Sequence, residues 1–309
     1  MSEALNSVDT ALLGVIADMP EGKAPGAVNI RKDSGCASRA NSENVTITSK
    51  TDKPGIDITF APGCKDTCHI PVIITESGLK ETVYNDFYIG EGADALIIAG
   101  CGIHNCGEGA SEHDGVHTFH IGKNARVHYV EKHYGEGDGT GGRIMNPATV
   151  CYLEEGAVLQ MDTSQIGGID STNRDTRVYC GKGAEVVVTE RLLTHGTQTA
   201  DSDMTIELNG EDSKGRVISR SVAQDESVQN FRPRVVGNAK CFGHVQCDSI
   251  IMGRAKISSV PEIAANDLDA QLIHEAAIGR IAGDQLLKLE TLGLTPEEAE
   301  DRILKGFLA

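Results

Sequence analysis

Four copies of one short phrase set the spacing of this chain. Ile89-Gly90-Glu91-Gly92-Ala93, Ile121-Gly122-Lys123-Asn124-Ala125, Leu153-Glu154-Glu155-Gly156-Ala157 and Cys180-Gly181-Lys182-Gly183-Ala184 each put a glycine or asparagine just before a small residue, and the alanines are 32, 32 and 27 residues apart. Looser copies follow at Leu208-Asn209-Gly210 with Lys214-Gly215, and at Val236-Gly237-Asn238-Ala239. A period of this length means one supersecondary unit stacked on copies of itself. Glycine and asparagine tolerate positive φ, so the phrase marks a tight corner. The runs between corners alternate, as in Arg126-Val127-His128-Tyr129-Val130, and read as short strands. The expected fold is mainly β, a coil of parallel strands with about one turn per repeat. The period is too long for the left-handed helix built on hexapeptides.

Composition agrees with that expectation. The chain has 309 residues, 39% of them hydrophobic, enough for a sizeable core. Its 35 glycines, 9 prolines, 4% aromatics and absent tryptophan suit many regular turns better than a helical core built on aromatic anchors. A formal net charge of -17 argues against nucleic acid or an anionic membrane as partner, because neutralising phosphates needs clustered Lys and Arg. Met1-Ser2-Glu3 lacks the basic and apolar start of a secretory signal, and no apolar run approaches the roughly 18 residues of a membrane span. A cytoplasmic protein is expected. Nine cysteines without an export signal read as reduced thiols, and no CxxC pair marks a zinc knuckle.

Along the chain, residues 1–85 read as an irregular segment leading into the coil, 86–265 as the coil itself, and 266–309 as a segment ending in helices. A short helix is expected over Ala11 to Met19 and an irregular path from Lys23 to Glu43. Val45-Thr46-Ile47-Thr48 and Ile56-Asp57-Ile58-Thr59-Phe60 form the first strand pair. Asp284 is the expected cap of a helix carrying Leu286, Leu287 and Leu289, stopped by Gly293. Thr295, Pro296 and Glu298 then have the pattern of an N-cap, a first helical proline and a capping box. Ala299, Ile303, Leu304 and Phe307 form an apolar stripe, for docking on the coil or on a partner.

Two constellations carry possible chemistry. Cys101, His104, Cys106, His113, His117, His120, His128 and His133 place six of the ten histidines within about 30 residues, and thiolate and imidazole are common metal ligands. Alternation divides them: His117 points with Phe119 and Ile121, while His120 points with Val116 and Thr118. A subset such as Cys101, His104 and Cys106 could still meet in one loop. With His113, these define one reading, a His/Cys metal-binding protein or metal-dependent enzyme centred on residues 101–133. The second set is Cys247, His274 and Glu275, a thiol, an imidazole and a carboxylate suited to iron. His274 and Glu275 face opposite ways in an extended segment. Such a set holds a cluster less tightly than four thiolates, which suits a cluster that must leave; a buried structural thiol is the plainer alternative.

Other classes find little support. There is no phosphate-binding GxxxxGK[ST] loop and no strand, GxGxxG and helix unit. A carbohydrate-active β-helix would need an exposed aromatic strip, which so few aromatics make unexpected.

Gln246-Cys247-Asp248-Ser249-Ile250-Ile251-Met252-Gly253, His274-Glu275-Ala276, Gly283-Asp284-Gln285-Leu286 and Gly293-Leu294-Thr295-Pro296-Glu297-Glu298-Ala299 together resemble the carboxyl-terminal core of the SufB/SufD family of iron–sulfur cluster assembly scaffolds. The resemblance covers about two-thirds of the chain. It implies a right-handed parallel β-helix with a C-terminal α-helical domain, dimerisation through the β-helix, and an ABC-type ATPase, SufC, docked on the helices. It makes Cys247 the holder of a nascent cluster and Glu275 its neighbour at the dimer interface, where SufD-like chains carry histidine. His274 matches a histidine between two SufB glutamates, the first of which is Ile273 here. Cys101 resembles, more loosely, a cysteine proposed to accept sulfur inside the β-helix, whereas His104 and Cys106 lie outside the usual pattern.

The chain lacks most of the amino-terminal extension of SufB and looks like the short members of minimal systems. There the resemblance implies a homodimer, or a heterodimer with a SufD-like chain, building a transient [4Fe-4S] cluster. Sulfur-donor and iron–sulfur acceptor proteins are the further partners implied. Reduced flavin is linked to related complexes, with no residue here to place it. The resemblance implies a scaffold, not a self-contained enzyme.

Overall fold

Successive strands alternate between two sheets. In the computed structural model, which describes residues 5–165 and 167–308, one sheet has ten strands and the other eleven among the described residues. In the first, Lys65–Ile74, Asp94–His104, Arg126–Glu136, Val158–Gln165, Glu185–Thr194, Ser213–Ala223, Cys241–Ile251 and Gln271–Gly279 lie side by side, each parallel to the next. Strands from the other half of each repeat, such as Lys80–Ile89 and Ser111–Ile121, build the second sheet in the same way. Neighbours within a sheet are therefore one coil apart in sequence, and the fold is a parallel β-helix of about eight coils. The parallel pairing extends on both sides of residues 86–265, from Ala27–Lys32 to Gln271–Gly279.

The repeated phrase does what its chemistry dictates. Ala93, Ala125, Ala157 and Ala184 each donate a backbone hydrogen bond three residues back, to Gly90, Gly122, Glu154 and Gly181, at 3.1 Å. The residue before each alanine takes the left-handed conformation, with φ of 67° at Gly92 and 55° at Asn124. Its amide then bonds to the next corner, Gly92 to Lys123 O and Asn124 to Glu155 O. All four alanines are buried. Inside, one apolar core runs the length of the coil, and Phe87 stacks on Phe119 at 4.1 Å.

The amino-terminal part is more ordered than its composition suggests. Ala27–Lys32 and Gly35–Ala40 form an antiparallel hairpin inside the segment expected to be irregular. Val28 and Ile30 lie beneath a helix, so the strand is covered on both faces and does not alternate visibly. That helix, α1 (Ser7–Ala17), starts earlier than expected because Asn6 and Asp9 form a capping box. Leu12, Leu13 and Ile16 dock it on the outer face of the first sheet. Val45–Ser49 and Gly55–Phe60 pair antiparallel, as expected.

At the other end, helix α2 (Gly283–Glu290) begins after Ala282, which provides no side-chain cap. Asp284 lies inside the first turn instead, where its charge complements the helix dipole. Gly293 breaks the path with a φ of 96°. Helix α3 (Pro296–Leu308) carries the expected capping box: Glu298 N donates to Thr295 Oγ1 at 3.2 Å and Thr295 N to Glu298 Oε2 at 2.8 Å. It rests on the strand Ser213–Ala223, with Ala299 buried and Arg220 Nη1 donating to Phe307 O at 3.3 Å. Leu287 and Leu292 remain 59% and 75% exposed. No described helix is long and apolar enough to cross a membrane.

Candidate functional site

Alternation sends part of the histidine cluster into the coil and leaves the rest outside. His113, His117 and His133 are buried with Cys101, while His120 is exposed and His128 bonds Asp162 on the outer side at 2.8 Å. Cys101 points inward because Gly100 and Gly102 flank it under α1; a Cβ at Gly100 would stand 2.3 Å from Ile16 O.

Around the thiol, charges alternate. Arg31 donates to Glu81, which accepts from His113 Nδ1 at 3.0 Å, and His113 and His133 both hydrogen-bond Cys101. Burial opposes ionisation of Cys101, yet His113 and His133 outweigh it and bring the thiol down to about 7. Burial likewise opposes charge on His113, but the thiolate and Glu81 lift it to about 10. The pair thus favours thiolate beside imidazolium as pH rises through neutrality. On the far side, Arg174 donates to Glu131 Oε2 at 2.6 Å and to His133 Nδ1 at 3.3 Å. That leaves the His133 Nε2 proton facing Glu131 and Cys101. Burial drops His117 to about 4, and as a neutral ring it donates from Nδ1 to Tyr129 Oη, which donates on to Glu131.

From this nest a file of buried polar side chains runs along the interior. Glu131, Thr163, Glu190, Ser219 and Cys247 occupy one register column through five successive coils. Glu190 lies 3.6 Å from Arg174 Nε and accepts from Ser202 Oγ at 2.9 Å, and Ser219 bonds it as well. None of Glu81, Glu131, Arg174 and Glu190 stands out in sequence. The available signal was parity: Glu131 shares the inward phase of Val127, Tyr129 and His133.

Cys247 ends the file. Burial pushes its thiol up to about 11, so binding a metal there must displace a proton. In the last strand, Gln271–Gly279, His274 pairs with Val245 and Ala276 with Cys247, which puts His274 on the inner face with the thiol. His274 Nε2 is buried without a hydrogen-bond partner. Glu275 faces out, 59% exposed, and accepts from His244 Nε2 at 2.9 Å. The structure thus places Cys247 and His274 on the same face, one inward register pair apart, and turns Glu275 away.

The loop set is divided in the same way. His104 and Cys106 lie outside the coil, bonded to each other at 3.0 Å, and do not converge with Cys101 and His113. Among the described residues, no group of three or more His, Cys, Asp and Glu side chains is placed to hold a metal ion. An aromatic strip does exist, contrary to expectation: Tyr88, His120, Tyr152 and Tyr179 stack along the outer face at 5.1, 5.6 and 5.2 Å. Their faces cover one another, interplanar angles being 5°, 14° and 10°, so the ladder spends its stacking surface on itself.

The profile of the SUF system FeS cluster assembly SufBD core domain matches residues 76–307. The chain belongs to the SufBD family. An iron–sulfur cluster assembly SufBD family protein of Methanocaldococcus jannaschii is 28% identical over 242 residues, 78% of this SufBD chain and 75% of the relative. One from Archaeoglobus fulgidus is 28% identical over 262 residues, 83% and 69% of the two chains. A Pyrococcus horikoshii protein reaches 40% identity over 106 residues, 33% and 31% of the two. As a SufBD protein the chain is a scaffold in iron–sulfur cluster assembly rather than an enzyme.

Proposed function

We propose that this chain builds a transient [4Fe-4S] cluster as cargo at the rim of its last coil, on an interface between two SufBD-type subunits, identical or diverged. Cys247 supplies the thiolate, His274 the adjoining imidazole, and Glu275 a carboxylate directed toward the second subunit. Cys101 is the interior thiol that receives sulfur. A SufC-like ABC ATPase docks on α2 and α3, where Leu287 on α2 and Leu292 in the turn between the helices stand exposed, and drives opening and closing of the interface.

The observation that carries this reading is the buried polar file between Cys101, whose thiol is held low by His113 and His133, and a second thiol, Cys247, at the end of the coil. A purely structural β-helix has no use for buried Glu131, Arg174 and Glu190 along that line, since each costs desolvation energy. Two-fold pairing would double a ligand set that one chain supplies only in part.

The test is anaerobic reconstitution with iron and inorganic sulfide, followed by visible absorption and by iron and sulfide content. Wild type should form a labile cluster and Cys247→Ser none. A cluster that survives Cys247→Ser, or one that wild type never forms, defeats the assignment.

A further inference from the structure

Cys106 is exposed, and its Sγ lies 3.0 Å from His104 Nε2. The same ring is held from its other nitrogen, Nδ1 lying 3.0 Å from Glu136 Oε1, and Tyr134 in turn hydrogen-bonds Glu136. With thiol and carboxylate on opposite sides of one imidazole, these groups cannot converge on a single ion, but they have the order of a nucleophile, a base and a residue that orients the base. The backbone around the thiol is fixed. Asn105 N donates to Glu136 O at 3.0 Å, Gly139 N to Asn105 O at 3.1 Å, and Gly107 N to the Asn105 side chain at 3.0 Å. Cys36 provides an internal contrast: it is exposed too, but its sulfur faces the Asn29 amide oxygen at 3.6 Å and no base.

We propose that Cys106 is a surface acceptor of sulfane sulfur from an alkyl persulfide, with His104 as its base and Glu136 as the positioning residue. The substrate class rests on the scaffold reading above, which requires sulfur to enter from outside; the nucleophile itself rests on geometry alone. His104 Nε2 takes the Cys106 proton, and the thiolate attacks the outer sulfur of R–S–SH. The S–S bond of the donor breaks, R–S⁻ leaves and recovers the proton from His104, and Cys106 becomes Cys–S–SH. The sulfane sulfur keeps its oxidation state, so no oxidant or reductant is needed.

The experiment treats the full chain with glutathione persulfide and follows each thiol by peptide mass spectrometry. Cys106 should gain sulfur on the order of a hundredfold faster than Cys36, the low end of what a positioned base contributes. His104→Ala and Glu136→Ala should bring Cys106 down toward Cys36, and added imidazole should restore the His104→Ala rate, which a merely structural defect would not allow. Equal rates at Cys106 and Cys36, or a rate indifferent to His104→Ala, would overturn the assignment. Cys106→Ser should still build a cluster from inorganic sulfide, which bypasses the acceptor; failure there would make Cys106 part of the cluster site instead. If wild type builds no cluster while Cys106 keeps its rate advantage, the scaffold reading fails and the nucleophile stands.

Discussion

Cys247 and Glu275 lie on adjacent strands of the last two coils with their side chains on opposite faces of the sheet. The register sets Cys247 beside Ala276 and Glu275 beside Gln246, so the thiol enters the core while the carboxylate meets His244 outside. One chain therefore cannot bring both to one iron without rebuilding its last strand. On the proposed reading, Glu275 contributes at a rim shared with another subunit. Cluster content per chain should consequently rise with protein concentration in wild type. Glu275→Ala should shift that dependence to higher concentration, His274→Ala should lower the plateau, and Cys247→Ser should give no cluster at any concentration. Iron and sulfide analysis across a dilution series, with sedimentation of the same samples, checks all three.

A second expectation concerns Cys101. The other core thiols at Cys68 and Cys180 are pushed up to about 12 by burial, whereas Cys101 ionises at about 7. The difference in near-ultraviolet thiolate absorbance between wild type and Cys101→Ser should titrate near that value. In His113→Ala the burial penalty loses its main opposing charge, and the step should move above the ordinary 9.0. Stability should follow the same pair. A depressed Cys101 favours the folded chain fully above 9.0 and loses that contribution as pH falls through about 7. A raised His113 favours it fully below 6.5 and loses that contribution as pH climbs through about 10. Denaturant titrations of His113→Ala against wild type should show the difference shrinking above pH 10.

The coil was legible because its corner chemistry is local: Gly92 or Asn124 takes a backbone conformation that few residues share, and the small Ala93 or Ala125 that follows is buried. The opposed directions of His117 and His120, and of His274 and Glu275, were legible for the same reason, since strand parity follows from spacing alone. What sequence could not supply was pairing between coils. Glu81 reaches His113 and Arg174 reaches Glu131 across 32 and 43 residues, and nothing in either segment specifies the other. The hairpin at Ala27–Lys32 is hidden in the sequence because burial on both faces erases alternation, and Asp284 lies two positions beyond the true N-cap, Ala282, whose side chain gives no capping signal.

The packing of α1 against the strand behind Cys101 should be sensitive to one methyl group. At Gly100 an added Cβ would come within 2.3 Å of Ile16 O and 2.8 Å of Ile16 Cβ, backbone and core atoms that cannot swing aside. Gly100→Ala should cost about 1–3 kcal/mol, the range for overpacking a well-filled core. Gly279→Ala, where nothing lies within 4 Å of the new atom, should stay within about 0.5 kcal/mol. Urea unfolding midpoints with unchanged slopes would distinguish a local packing cost from a change in the unfolded chain.

The carboxyl-terminal helices contribute little to the coil's own stability. Of the described residues in α2 and α3 only Ala299 is buried, and the contact with the strand Ser213–Ala223 is made by one face of α3. Removing everything after Gly283 should therefore leave the unfolding midpoint of the coil nearly unchanged and the subunit pairing intact, while abolishing co-purification of a SufC-like ATPase. Leu287→Asp with Leu292→Asp should weaken that association without truncation, since both side chains are exposed and such surface changes shift stability by about 0.5 kcal/mol or less. If the ATPase still binds the truncated chain, its docking surface lies on the coil, and the exposed leucines need another occupant.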